Sequence, residues 1–157
     1  MKRISLIAVL LCLVLSSCAA PTPPLAYQEG LLCATFDVSL GGEDFTLKTI
    51  PSENALEVVS PECLSGVRLV RGTAKYTLVA DGEEFDMPLD LLTLSEGLFD
   101  LFSLSAANVE NNSIKDKCII KTDIGVFTVE LSENGTPSKI SFDGARDFTA
   151  ENIRLVY

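Results

Sequence analysis

The chain contains no histidine and no tryptophan. Without histidine there is no imidazole to serve as a general base near neutral pH. Ser-His and Cys-His nucleophile pairs are excluded with it, and so are most zinc sites. Basic residues are scarce: 12 Lys and Arg face 22 Asp and Glu, for a formal net charge of −10, and no basic run occurs. That balance excludes a phosphate-binding nucleic-acid surface. The five cysteines contain no C-x-x-C pair, so with histidine absent they build no metal centre.

What is present amounts to about one domain. The chain has 157 residues, 47% of them hydrophobic. That share supplies a core and rules out wholesale disorder.

The start carries the clearest signal. Met1-Lys2-Arg3 is a short basic head, followed by an apolar run of 12 residues from Ile4 to Leu15. A helix of that length spans about 18 Å, against a hydrocarbon core of about 30 Å, so it fits a signal-peptide core better than a membrane span. Leu15-Ser16-Ser17-Cys18-Ala19 comes next. This is similar to a bacterial lipobox: an aliphatic residue, two small residues, then the cysteine that takes a diacylglyceryl group and becomes the new first residue. Residues 1–17 are thus expected to be a signal peptide, with covalent diacylglycerol on Cys18 and no other cofactor. Cleavage removes Lys2 and Arg3, two of the 12 basic residues, and leaves 10 against 22 acidic, a net −12. Two acyl chains anchor stably where one does not. The expected location is the cell membrane, lipid-anchored and facing outside the cytoplasm. An acidic body is repelled by anionic headgroups and is expected to stand off the surface rather than lie flat.

Pro21, Pro23 and Pro24 make residues 18–26 a proline-rich tether, extended at about 3.1 Å per residue. A single domain is expected over 27–157. Cys12 leaves with the signal peptide and Cys18 is the lipidation site, so Cys33, Cys63 and Cys118 remain. Three thiols allow at most one internal disulfide. Cys33 and Cys118 sit in strand-like runs and also suit small buried hydrophobes.

Periodicity of two dominates the rest. Ala34, Phe36, Val38 and Leu40 alternate with polar residues, Gly41-Gly42-Glu43-Asp44 turns the chain, and Phe45 to Ile50 returns. Further strands are expected at 55–60, 67–70, 74–80 and 83–87, with Asp81-Gly82 as a hairpin signal between the last two. After Pro88 the spacing changes: Leu91, Leu94, Leu98, Leu101 and Phe102 recur at three and four residues, which is helical. Gly97 inside that run costs about 1 kcal/mol relative to alanine, so one long helix and two short ones meeting near Ser95 are both open. Strands return at 117–122, 125–131, 138–143 and 148–156. Short connections imply an antiparallel meander. About ten strands are too many for one flat sheet, so it should curl. The expected class is mainly β (α+β): a curled antiparallel sheet or incomplete β-barrel, with the helical segment as a lid or plug on its concave side.

Two stretches carry a family resemblance. Leu56-Glu57-Val58-Val59-Ser60-Pro61-Glu62-Cys63-Leu64-Ser65-Gly66-Val67-Arg68-Leu69 is similar to a strand, P-x-x-L-x-G, strand pattern, and Asn134-Gly135-Thr136-Pro137-Ser138-Lys139-Ile140 to a late hairpin. Both resemble the bacterial lipoprotein-carrier superfamily of LolA/LolB type, and the related small lipoproteins of spore-forming bacteria involved in germination. The resemblance covers roughly 32–157 and implies an open half-barrel with a hydrophobic concave face.

The acidic stretch Asp81 to Asp86 is too tightly spaced for a calcium loop and reads as a solvated hairpin tip. The remaining candidate site is apolar: Phe36, Val38, Leu47, Leu56, Val58, Leu69, Leu78, Leu98, Phe102 and Phe127, joined in the same pattern by Tyr76, Val129 and Phe142. A cavity wall and a filled core share this pattern, so two functions stand open. In one, the concave face binds an acyl chain, a lipid or a lipoprotein. In the other, the core is filled and the domain is a non-catalytic module that docks an envelope or cell-wall protein. An enzyme is not expected, and neither a metal nor a nucleic-acid partner is.

Overall fold

The computed structural model describes residues 25–88, 95–105, 108–109 and 116–157. The signal peptide, the lipobox cysteine and all but the end of the tether lie outside these residues, as do Leu91 and Leu94 of the helical run.

Ten strands form one antiparallel sheet: β1 (Cys33–Leu40), β2 (Glu43–Ile50), β3 (Ala55–Ser60), β4 (Arg68–Arg71), β5 (Lys75–Ala80), β6 (Glu83–Pro88), β7 (Lys117–Lys121), β8 (Gly125–Leu131), β9 (Pro137–Gly144) and β10 (Phe148–Val156). Their spatial order is β6-β5-β4-β3-β2-β1-β10-β9-β8-β7. Two meanders, β1 to β6 and β7 to β10, are therefore joined through the β1–β10 pair. The sheet is mainly antiparallel hairpins and is not closed into a barrel, because β6 and β7 are opposite edges.

Local chemistry explains the hairpins. At β5–β6 the turn pair Asp81 and Gly82 has φ of 51° and 81°. Both residues of such a turn need the left-handed region, which Asp tolerates and Gly adopts freely. Register shifts interrupt the β1–β10 ladder between Thr35 and Asp37, the β2–β3 ladder at Thr46/Leu47, and the β8–β9 ladder at Glu130/Leu131. Extra residues of this kind bend a strand and strengthen its twist. At the first shift Asn152 takes φ 53°, and its amide donates to Asp37 Oδ2 at 2.8 Å. These irregularities curl a sheet that hairpin chemistry alone would leave open.

Alternation sorts the residues into two faces. The inner face carries Ala34, Phe36, Val38, Leu47, Leu56, Tyr76, Cys118, Ile120, Phe127, Val129, Ile140, Phe142, Phe148 and Ala150, all buried in one cluster. A short helix, α1 (Ser95–Asp100), and the residues after it lie on that face. Leu98, Phe99, Leu101, Phe102 and Leu104 are buried in the same cluster. The N-terminal segment also belongs to it. Leu25 and Tyr27 are buried, on and beside the 3-10 turn Ala26–Gln28. The Gln28 amide faces the Leu104 backbone, and turned so that its nitrogen meets the carbonyl and its oxygen the N–H it makes two bonds there, at 2.9 and 3.1 Å.

Candidate functional site

The inner face is not covered evenly. On the β7–β10 side every inner residue from Cys118 to Ala150 named above is buried. On the β3–β6 wing, cover falls away strand by strand along one cross-strand row. Leu56 pairs with Leu69, Leu69 with Leu78, and Leu78 with Phe85. Directly opposed residues share a face, so the four side chains form one apolar stripe. Leu56 is 6% exposed, Leu69 and Leu78 are half-buried, and Phe85 at the edge is 53% exposed. Val58, one step along β3, is partly buried against the core.

Helix α1 crosses toward this wing and is held at both ends. At one end Gly97 sits on Phe142 and Phe148: a Cβ there would lie 3.0 Å from a ring carbon of each. The glycine that weakens the helix in isolation is what lets its backbone seat on two aromatic rings. At the other end the Arg71 guanidinium donates to Asp100 Oδ1 at 2.8 Å and lies 5.1 Å from the Phe99 ring centroid. Phe99 in turn stacks on Tyr76, with centroids 5.6 Å apart, and Phe102 meets Phe36 at 5.9 Å. A part-exposed ion pair with a cation–π contact fixes the helix without the desolvation cost of a deep pair.

Of the ten residues singled out by the sequence, Phe36, Val38, Leu47, Leu56, Leu98, Phe102 and Phe127 come together in the buried cluster. Val58 and Leu69 pack against it, and Leu78 lies one strand further out, half-buried. Arg71 and Phe85 go beyond the sequence reading, and Tyr76, already in the apolar set, adds a polar atom that the pattern does not address. Arg71 ends a short strand and carries no motif. Tyr76 is fully buried and its hydroxyl, like Thr49 Oγ1, has no hydrogen-bond partner among the described residues. Phe85 falls within the stretch that reads as an acidic hairpin tip, and the alternation of Glu83, Phe85 and Met87 across β6 could have placed it on the inner face.

Other features are modest. Cys33, Cys63 and Cys118 are free thiols: half-buried, exposed and buried respectively. Burial raises the Cys118 pKa. Two shallow grooves, of about 530 and 480 Å³, run along the outer face and are lined mainly by hydroxyl and carboxylate side chains such as Thr128, Ser141, Thr149, Asp37 and Asp44.

No family model matches the sequence, and no curated protein matches it. Among solved structures, the chain is similar to an uncharacterized conserved protein of Thermus thermophilus at 9% identity, with 85% of each chain covered and a TM-score of 0.44. It is similar to the lipoprotein LppX of Mycobacterium tuberculosis at 12% identity, covering 85% of this chain and 90% of that one, with a TM-score of 0.40. A LolA superfamily protein of Nitrosomonas europaea aligns at 10% identity over 88% of this chain and 75% of its own, with a TM-score of 0.35.

Proposed function

We propose that this chain is a membrane-anchored bacterial lipoprotein, acylated on Cys18, whose half-barrel binds a hydrophobic ligand along the inner face of the β3–β6 wing. The observation that carries this reading is the stripe Leu56-Leu69-Leu78-Phe85, an inner-face row whose cover falls from one strand to the next. A row of three inter-strand spacings is about 14 Å long, enough for a long segment of an acyl chain. Arg71, Asp100 and Phe99 stand at the border between this stripe and the filled part of the interior, so α1 bounds the site on its inner side. A protein tied to its membrane receives or presents cargo and does not ferry it.

The second reading, a docking module with a filled interior, is favoured by a different observation. Seven of the ten candidate residues are buried against one another and against α1. Titration with a fluorescent fatty acid separates the two. Binding that Leu78→Glu reduces at least about tenfold supports the stripe, since burying an unpaired carboxylate in an apolar contact is strongly unfavourable. Absence of saturable binding by the wild-type chain leaves the docking module.

A further inference from the structure

Six large hydrophobic side chains are conspicuously exposed among the described residues, and three of them lie at one end of the β1–β10 pair: Leu32 at 58%, Val156 at 49% and Tyr157 at 58%. The Leu32 N–H donates to the Val156 carbonyl at 2.8 Å, and Val156 pairs with Cys33 at the start of β1. The Tyr157 hydroxyl donates to the Tyr27 carbonyl at 3.0 Å. Tyr27 lies two residues after Leu25, which is itself buried. The tether therefore enters the fold beside this patch. Six residues, Ala19 to Pro24, separate Leu25 from Cys18, a reach of about 20 Å when extended.

We infer that this end of the domain, formed by Leu32, Val156 and Tyr157, docks into the interfacial layer of the bilayer to which Cys18 is anchored. The inference rests on the acylation proposed above. The short tether holds the patch at high effective concentration near the surface, so weak contact suffices. Leu, Val and Tyr suit the interface, where tyrosine places a polar tip beside an apolar body. On the outer face near this end, Arg154 pairs with Thr35 and Thr35 with Lys48, and Lys48 lies opposite Glu57. Glu29 is exposed beside the tether. Apolar contact rather than charge then holds the docked state, and salt affects it weakly. The acidic body stands on this end, and the β1–β2 hairpin, about 24 Å away along β1, points from the membrane.

The absence of native tryptophan makes the test direct. The acylated full-length product is reconstituted in vesicles of phosphatidylethanolamine and phosphatidylglycerol carrying brominated acyl chains, with a single tryptophan at Tyr157→Trp, Leu32→Trp or, as the distal position, Glu43→Trp. Leu32→Trp leaves the Tyr157–Tyr27 bond intact and stands in if Tyr157→Trp loosens the end. Docking predicts that the tryptophan at 157 or 32 is quenched about threefold more than that at 43, and that emission is blue-shifted only at the patch. Vesicle flotation is read in parallel. Protein that floats with equal quenching at both ends overturns the docking and leaves the anchor standing. Protein that does not float overturns the anchor and the docking together.

Discussion

The ring of Phe142 lies in a slot walled by three glycines, and that slot gives the sharpest stability prediction. A Cβ on Gly125 would lie 2.7 Å from a Phe142 ring carbon, and one on Gly97 3.0 Å from another. A Cβ on Gly144 would overlap the ring outright and stand 2.9 Å from the Ile124 carbonyl oxygen. The ring cannot swing aside freely. It is buried, with Phe127 and Phe148 at centroid distances of 4.7 and 5.2 Å. Gly144→Ala therefore carries an overpacking cost near the top of the usual range, about 3 kcal/mol. Restricting the unfolded chain returns about 0.4–1 kcal/mol. The net expectation is a loss of about 2 kcal/mol, or a fall of about 1 M in the urea midpoint for a small domain. Phe142→Leu removes the ring atoms that the new Cβ would strike. In that background Gly144→Ala should cost less than about 1 kcal/mol, giving a coupling of at least about 1 kcal/mol in a double-mutant cycle. A neutral Gly144→Ala, or costs that simply add, would refute the slot.

Other expectations follow from the same geometry. Phe102→Ala, which empties a buried site against Phe36, should cost about 3–5 kcal/mol in urea unfolding. Arg71→Met loses both the Asp100 bond and the Phe99 contact, so it should loosen α1 by about 1–2 kcal/mol. Asp100→Asn keeps the ring contact and should loosen it less, and hydrogen exchange of the α1 amides reads both. Bonds from Asn152 and then Thr46 hold the Asp37 carboxyl below its ordinary range. A depressed folded pKa gives stability that is present above the unfolded value and lost as pH falls through the folded one. Asp37→Asn should therefore shift the urea midpoint at about pH 7 and much less at about pH 2.5. Burial pushes the Tyr27 phenol far above the ordinary tyrosine range. For this acid the sign reverses, and stability is lost as pH rises above the unfolded value near 10, so its ionisation should coincide with alkaline unfolding in absorbance titration.

Most of the sheet was legible because its strands alternate and its turns carry Gly, Asn and Asp where the backbone needs them. All ten strands expected from periodicity are present, with ends differing by one or two residues: β2 opens on Glu43, a residue expected in the turn, β4 closes on Arg71 rather than Val70, and β9 opens on Pro137. The inner set was legible for the same reason. What periodicity could not supply was long-range. Nothing local pairs β1 with β10, although that pair alone joins the two meanders. Leu25 sits just after three prolines and reads as tether, yet it is buried in the same cluster as Tyr27 and Leu104. The strand expected over 138–143 runs on to Gly144, which ends β9 and leaves room for the Phe142 ring. Burial grading across β3 to β6 depends on where α1 rests, and no sequence period encodes that.

The central claim is that the open wing of the inner face binds an acyl-sized ligand. Native mass spectrometry tests it most directly, on the chain from Ala19 purified without detergent, in wild-type and Leu78→Glu forms. The account predicts an added mass on the order of several hundred daltons on the wild type. Organic solvent should strip it, and Leu78→Glu should lack it while keeping a wild-type unfolding profile. A clean apo mass for the wild type, with no mass gained on incubation with fatty acid or phospholipid, would contradict the claim and leave the filled interior as the correct reading.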